Sequence, residues 1–156
     1  MNTTDAQRLA GQLMREYGLL EQGWTQVLDR SVKRFGQCQH GRKRLSFSRP
    51  LIEHNDEAMF RDTVLHEIAH ALVGPGQGHN EVWKRMARTI GAKPDRCATG
   101  NGPPPKWIGT CPNCGATSRR ERLTDKAKKA ACAKCCRGTY NPDFRFRWAS
   151  NMAGAR

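Results

Sequence analysis

Apolar positions recur three and four residues apart at Ala6, Leu9, Ala10, Leu13, Met14 and Tyr17. That spacing predicts a helix over residues 4–20 with one buried face. Thr4 with Gln7 reads as a capping box, and Gly18 lies near the other end. "WTQVLDR" and "VKRFGQCQ" look like strands, "HGR" at 40–42 like a turn, and Leu45 and Phe47 alternate in "KRLSFS". Val32–Ser48 therefore reads as a hairpin, ended by Pro50. Asn55 is placed to cap a second helix, with Asp56 and Glu57 in its first turn. Phe60, Val64, Leu65, Ile68, Ala69 and Leu72 give that helix a broad apolar face, and "GPGQG" at 74–78 stops it. A third helix spans about Asn80 to Ile90, with Val82, Trp83, Met86, Ala87 and Ile90 inward and Gly91 at its end. "ATGNGPPPK" has no periodicity and reads as a linker. The pattern predicts an α+β core over residues 1–97, a linker over 98–106 and a small module over 107–150.

Charge changes the picture of that module. The chain of 156 residues has a formal net charge of +13. From Pro103 onward there are 12 Lys and Arg against 3 Asp and Glu; the first 102 residues carry 15 against 11. A basic final third predicts an acidic partner, with nucleic acid as the default. No apolar run approaches the roughly 20 residues of a membrane span, and the polar N-terminus has no signal-peptide core. These features predict a cytoplasmic protein, nucleoid-associated or nuclear according to its cell, that is neither secreted nor membrane-bound. In a reducing compartment, seven cysteines point to metal ligands or free thiols rather than disulfides.

Candidate chemistry begins at "HEIAH". His66 and His70 are four apart, so a helix puts both on one face within reach of one zinc ion. Glu67 is turned about 100° away and can reach a water at the metal rather than the metal itself. Zinc lowers the pKa of such a water towards about 7, and the carboxylate can take its proton. A glycine-rich turn then lets the chain double back to His79, a third ligand that leaves one position open. Glu81 competes with His79 for that role. His40 and His54 fall in a turn and a loop and are weaker candidates. Trp83 reads as a core residue that can also wall the site.

Cys111-Pro-Asn-Cys114 and Cys132-Ala-Lys-Cys135 are two knuckles separated by 17 residues. They match the spacing of a closed four-thiolate zinc ribbon, whose metal supplies the folding energy of a segment too small for a core. Cys136 competes with Cys135 as the fourth ligand; Cys38 and Cys97 read as plain thiols. Arg119, Arg120, Arg122, Lys126, Lys128 and Lys129 lie between the knuckles. After them, Phe144, Phe146 and Trp148 alternate with Arg145 and Arg147, so a strand there would show aromatics on one face and guanidiniums on the other. Bases can stack on such aromatics while the cations meet phosphates. The competing reading is that the aromatics cover the ribbon's small core.

The runs "WTQVLDRSVKRFGQCQHGRKRLSFSRPLI", "FRDTVLHEIAHALVG", "GHNEVWKRMARTIGA", "WIGTCPNCG" and "CAKCCRG" resemble the SprT-like family of metalloproteases. The resemblance implies a zincin-like metalloprotease core followed by the four-cysteine zinc ribbon. It implies one catalytic zinc on His66, His70 and His79, one structural zinc on the ribbon, and Glu67 as the catalytic base. It implies an edge strand that aligns a substrate peptide, with Lys43–Ser48 as the candidate. The implied activity is cleavage of proteins bound or crosslinked to DNA, with single-stranded or junction-containing DNA as the expected partner and a monomer as the expected state. Cys136 departs from the family, which often has glycine there, and the chain stops soon after the ribbon. Two rival readings follow: a nucleic-acid-binding adaptor with a vestigial site, and a zinc hydrolase of small amides such as a deformylase, for which Cys38 lacks the expected surroundings.

Overall fold

Helix α1, Thr3–Glu16, buries the predicted stripe of Ala6, Leu9, Ala10, Leu13 and Met14. The computed structural model describes residues 1–95 and 102–151. Cys97 and residues 98–101 of the expected linker lie outside the described residues. The chain divides into two units, residues 1–103 and residues from 104 onward. Among the described residues no helix is long and apolar enough to cross a membrane.

In the first unit, three strands form one sheet: β1 (Thr25–Asp29), β2 (Gly36–Gln39) and β3 (Arg44–Ser48), in the order β1-β3-β2. β2 and β3 are the expected hairpin, antiparallel and joined by a 3-10 turn at His40–Arg42. β1 lies parallel to β3 on its other side. The expectation that Lys43–Ser48 forms an edge is therefore corrected. β3 has neighbours on both sides, and Leu45, Ser46, Phe47 and Ser48 are all buried. The physical reason is that "RLSFS" alternates only in polarity, while its serines are small enough to be covered on the second face. The free edge beside the hairpin belongs to β2.

The helix starts move by a residue or so, each for a capping reason, and α1 ends at Glu16 rather than residue 20. Asn2, not Thr4, caps α1 by accepting the Asp5 backbone N–H at 2.8 Å. Pro50 starts a helix instead of merely ending a strand. α2 (Arg49–Glu53) has Ser48 as its cap and Pro50 in its first turn, where the missing N–H costs nothing. α3 (Glu57–Val73) is capped by Asp56, which accepts the Met59 N–H at 2.8 Å; Asn55 instead donates to the Leu51 carbonyl. α4 (Glu81–Thr89) is capped by Asn80, and Gly91 follows it with φ +79°.

α3 is covered on several sides, by α1, α4 and β2. Phe60, Thr63, Val64, Leu65, Glu67, Ile68 and Ala69 are all buried on it. Phe60 meets Phe47 of β3 edge-on, with ring centres 5.3 Å apart, and Phe35 at 6.0 Å. These rings join helix to sheet.

The second unit holds β4 (Trp107–Thr110), β5 (Thr117–Arg120) and β6 (Arg147–Ser150), all antiparallel, in the order β5-β4-β6. Two single-turn helices, α5 (Asp125–Lys128) and α6 (Ala133–Cys136), fill the connection from β5 to β6. The expected strand through Phe144–Trp148 is shorter than its alternation suggests. Asn141 and Pro142 set up a 3-10 turn through Phe144, so the strand starts at Arg147.

Phe60→Ala removes the ring shared by sheet and helix. The expected loss is about 3–5 kcal/mol of unfolding free energy, read by urea denaturation. A loss below about 1 kcal/mol contradicts this account of the core.

Candidate functional site

The sequence spacing of His66 and His70 becomes adjacency because α3 is regular through both. Gly74, Gly76 and Gly78 then turn the chain with φ of +84°, +84° and +54°, a region that side-chain-bearing residues rarely adopt. Asn80 starts α4 immediately after His79. The outcome is a cluster in which His79 Nε2 lies 3.0 Å from His66 Nε2 and 3.2 Å from His70 Nε2. The indole of Trp83, fully buried, lies against all three rings, with centres 4.6, 5.1 and 4.5 Å from His66, His70 and His79. Its Nε1 is buried without a hydrogen-bond partner.

Three imidazole nitrogens this close need a proton or a cation among them. Two neutral nitrogens with facing lone pairs repel, and one shared proton serves only one pair. The separations are near the roughly 3.3 Å between nitrogens that each lie about 2.0–2.1 Å from a tetrahedral zinc ion. Burial pushes His66 down to about 4, with His79 adding to the effect. Burial does the same to His70, also to about 4, helped by His66, His79 and His40. Both rings thus stay neutral, the form that binds a metal. His66, His70 and His79 form a group that can hold a metal ion and is compatible with zinc.

Glu81 is elsewhere. Its side chain is 73% exposed and pairs with Lys84 at 2.7 Å. His54 also stands apart, with Nδ1 2.8 Å from the Pro50 carbonyl oxygen. His40 does line the same cavity as the three histidines, and its Nε2 lies 3.6 Å from Cys38 Sγ.

That cavity holds about 630 Å³ and is lined by residues of β2, α3 and the segment before β2. Glu67 opens onto it but is only 7% exposed. Burial pushes its carboxyl up to about 8, while the backbone N–H of Cys38 and the charge of Arg34 pull the other way. Burial, then Glu67, pushes the Cys38 thiol up to about 12, which marks it as an inert thiol. Two features escape a reading of the sequence. Gly36 leaves the space that Glu67 occupies, and the backbone N–H of Cys38, not its thiol, favours the charged carboxylate. A glycine inside a predicted strand is the available signal for the first; a backbone donor leaves none.

In the second unit Cys111 Sγ lies 3.8 Å from Cys135 Sγ, and Cys114 Sγ 3.7 Å from Cys132 Sγ. Sulfurs bound at about 2.3 Å to a tetrahedral zinc ion lie roughly 3.8 Å apart, so the four thiols also form a group that fits a metal. Cys136 turns away, its Sγ 3.9 Å from the Asn141 carbonyl. The backbone N–H of Cys114 does most to hold the Cys111 thiol down, to about 7, against burial, with the Asn113 N–H and neighbouring thiols helping. Asn113 Nδ2 also donates to Cys135 Sγ at 3.4 Å. Such donors favour the thiolate.

The basic residues around this cluster are dispersed. Arg119 and Arg120 are exposed on β5, or nearly so, and Arg122 follows it. Lys126 and Lys128 lie on α5, Lys128 paired with Asp125 at 3.0 Å, and Lys129 follows. Cross-strand register puts Arg119 and Arg147 on the Ile108 and Thr110 face of the sheet. Trp107, Trp148 and Arg120 lie on the opposite face. Arg145 Nε donates to Tyr140 Oη at 2.6 Å. Trp148 is half-buried, its ring closes over Gly109, and its Nε1 has no partner. The ring therefore covers the small core and also keeps a partly open face.

The SprT-like family matches residues 7–102 of the chain. Over 104 residues the chain is 32% identical to a protein named Protein SprT from Pseudomonas syringae pv. tomato, a match covering 58% of this chain and 63% of that protein. The chain thus spans less than two thirds of the length of that curated relative. No solved structure matches.

Zinc content separates the candidate ligands. His79→Ala is expected to lower bound metal by one ion per chain relative to the parent, while Glu81→Ala keeps the parental content; loss of metal in Glu81→Ala alone contradicts the geometry. Acid supplies a second check on chelated protein. Unfolded imidazoles take up protons below about 6.5, whereas folded His66 and His70 resist until about 4. Folding stability carried by these rings is therefore complete above about 6.5 and falls as pH drops towards about 4. The thermal midpoint should fall further between about pH 7 and about pH 5 in the parent than in a His66→Gln, His70→Gln double variant.

Proposed function

The chain belongs to the SprT-like family, and from that membership we propose that it is a zinc-dependent endopeptidase that binds DNA and cleaves proteins bound or crosslinked to it. The observation that carries the reading is the convergence of three imidazole nitrogens beside a buried carboxylate in one cavity. In this reading residues 1–97 form a zincin core, His66, His70 and His79 hold the catalytic metal, and the four clustered thiolates hold the structural one. A zinc ion there supplies Lewis-acid chemistry: it polarises a peptide carbonyl and acidifies a water molecule.

The residues do the rest. Glu67 sits in a pocket that raises its affinity for a proton, so its carboxylate takes one from a water molecule whose oxygen bonds the peptide carbonyl carbon. The proton passes to the amide nitrogen as the C–N bond breaks, and the carboxylate is restored. Trp83 holds the three rings at fixed angles. The free edge of β2 runs along the same cavity, so an extended peptide that pairs with it reaches Glu67. This assigns peptide alignment to β2 in place of β3.

Basic residues of the second unit supply the DNA contacts in this reading. Arg119 and Arg147 flank β4 on one face, and Arg120 stands beside two partly open tryptophans on the other. Cations on phosphate and rings on bases suit single strands.

The test uses a labelled basic protein bound to single-stranded DNA. Cleavage by the parent and a fall of about 10²–10⁴-fold in Glu67→Gln, with both zinc ions retained, is expected. Parental cleavage by Glu67→Gln sinks the mechanism; DNA binding with no cleavage by either protein leaves an adaptor. Arg119→Glu with Arg147→Glu should weaken DNA binding and flatten its salt dependence.

A further inference from the structure

We propose that strand β2 positions the carboxylate of Glu67, through the missing side chain of Gly36 and the backbone N–H of Cys38. The proposal rests on the reading of Glu67 as the base.

Gly36 is the first residue of β2. Its φ is not in the left-handed region, so backbone conformation does not call for glycine there. Space does. A Cβ built at Gly36 would lie 2.7 Å from both Cγ and Oε1 of Glu67 and 3.0 Å from Cδ. Contact with Cγ matters most, because that atom is not the free end of a flexible chain. An exposed glutamate would swing aside, but this one is 7% exposed on a helix covered on several sides.

Strand geometry explains the donor. The Ser48 N–H bonds the Phe35 carbonyl at 2.8 Å, which marks Phe35 as facing β3. A period of two then turns the backbone groups of Gln37 and Gln39 to β3 and those of Gly36 and Cys38 to the free edge. The Cys38 N–H is thus outside the ladder, and it favours the charged form of Glu67. An unpaired strand edge normally invites another chain. Here one of its donors favours the charge of a side chain on the neighbouring helix. The strand that an extended peptide would join and the support of the base are the same short stretch of backbone. Their relative placement is then independent of loops.

The test measures steady-state cleavage of the labelled DNA-bound protein by folded, zinc-loaded variants of the full chain. Gly36→Ala is expected to lower kcat by about 10- to 100-fold, with KM and zinc content unchanged. A purely structural role would instead lower thermal stability and leave kcat per folded molecule at the parental value, and that result overturns the proposal. Where Gly36→Ala does not fold, Cys38→Pro is compared with Cys38→Ala. Proline is tolerated where an edge N–H points away from the ladder. A kcat for Cys38→Pro about ten-fold or more below that of Cys38→Ala, at an equal KM, supports the donor; equal kcat values, or a change confined to KM, overturn it. An active Glu67→Gln protein refutes the base itself, whereas an inactive one beside a fully active Gly36→Ala refutes only the positioning.

Discussion

Three imidazoles brought to one point set the central constraint in the first unit. Nitrogens held 3.0 and 3.2 Å from a shared neighbour cannot all turn lone pairs inward unless a proton or a cation lies among them. Every nearby element contributes to that convergence. α3 supplies two rings at a spacing of one turn, three glycines reverse the chain, and the Asn80 cap starts α4 where His79 points back. Trp83 fills the space beneath, and it does so with an indole nitrogen left unbonded. A buried donor without a partner costs free energy. The ring is therefore held by its shape and its three ring contacts, not by its polar atom.

The second unit meets a different shortage. Its buried residues with apolar character are few, and two of the three at the centre are Cys111 and Cys132. So small a core cannot offset the entropy of ordering its chain. Four thiols at metal-ligand spacing, with backbone and Asn113 donors on two of the sulfurs, stand where aliphatic packing would otherwise be. Family membership covers residues 7–102 and does not extend to this cluster, so its case is geometric.

Much of this arrangement is legible in the chain, because it depends on short-range periodicities. A four-residue gap between histidines, a two-residue gap between cysteines and a stripe of apolar residues each translate directly into neighbours. Helix starts are less legible. Asn2, Ser48 and Asp56 each win a capping role from an equally plausible neighbour, since several residues in a row could accept the same N–H. The parallel pairing of β1 with β3 joins Thr25 to Arg44, and nothing in either segment specifies its partner. Lys43–Ser48 reads as an edge because alternating polarity usually marks one solvated face; two small serines buried beside β1 break that rule. Glu67's surroundings are hidden for another reason. They consist of an absent side chain and a backbone N–H, and composition records neither.

The glycine turn after α3 has one more consequence. Gly74, Gly76 and Gly78 have no heavy atom within 4 Å of where a Cβ would stand, so crowding does not select them. Their positive φ values do. Each replacement by alanine would tilt the segment away from its reversal, by an amount set in the backbone and felt at His79. A loop with room on every side is thus closed to ordinary side chains by its backbone alone. The constraint lies in a place where a map of chemical functional groups shows nothing.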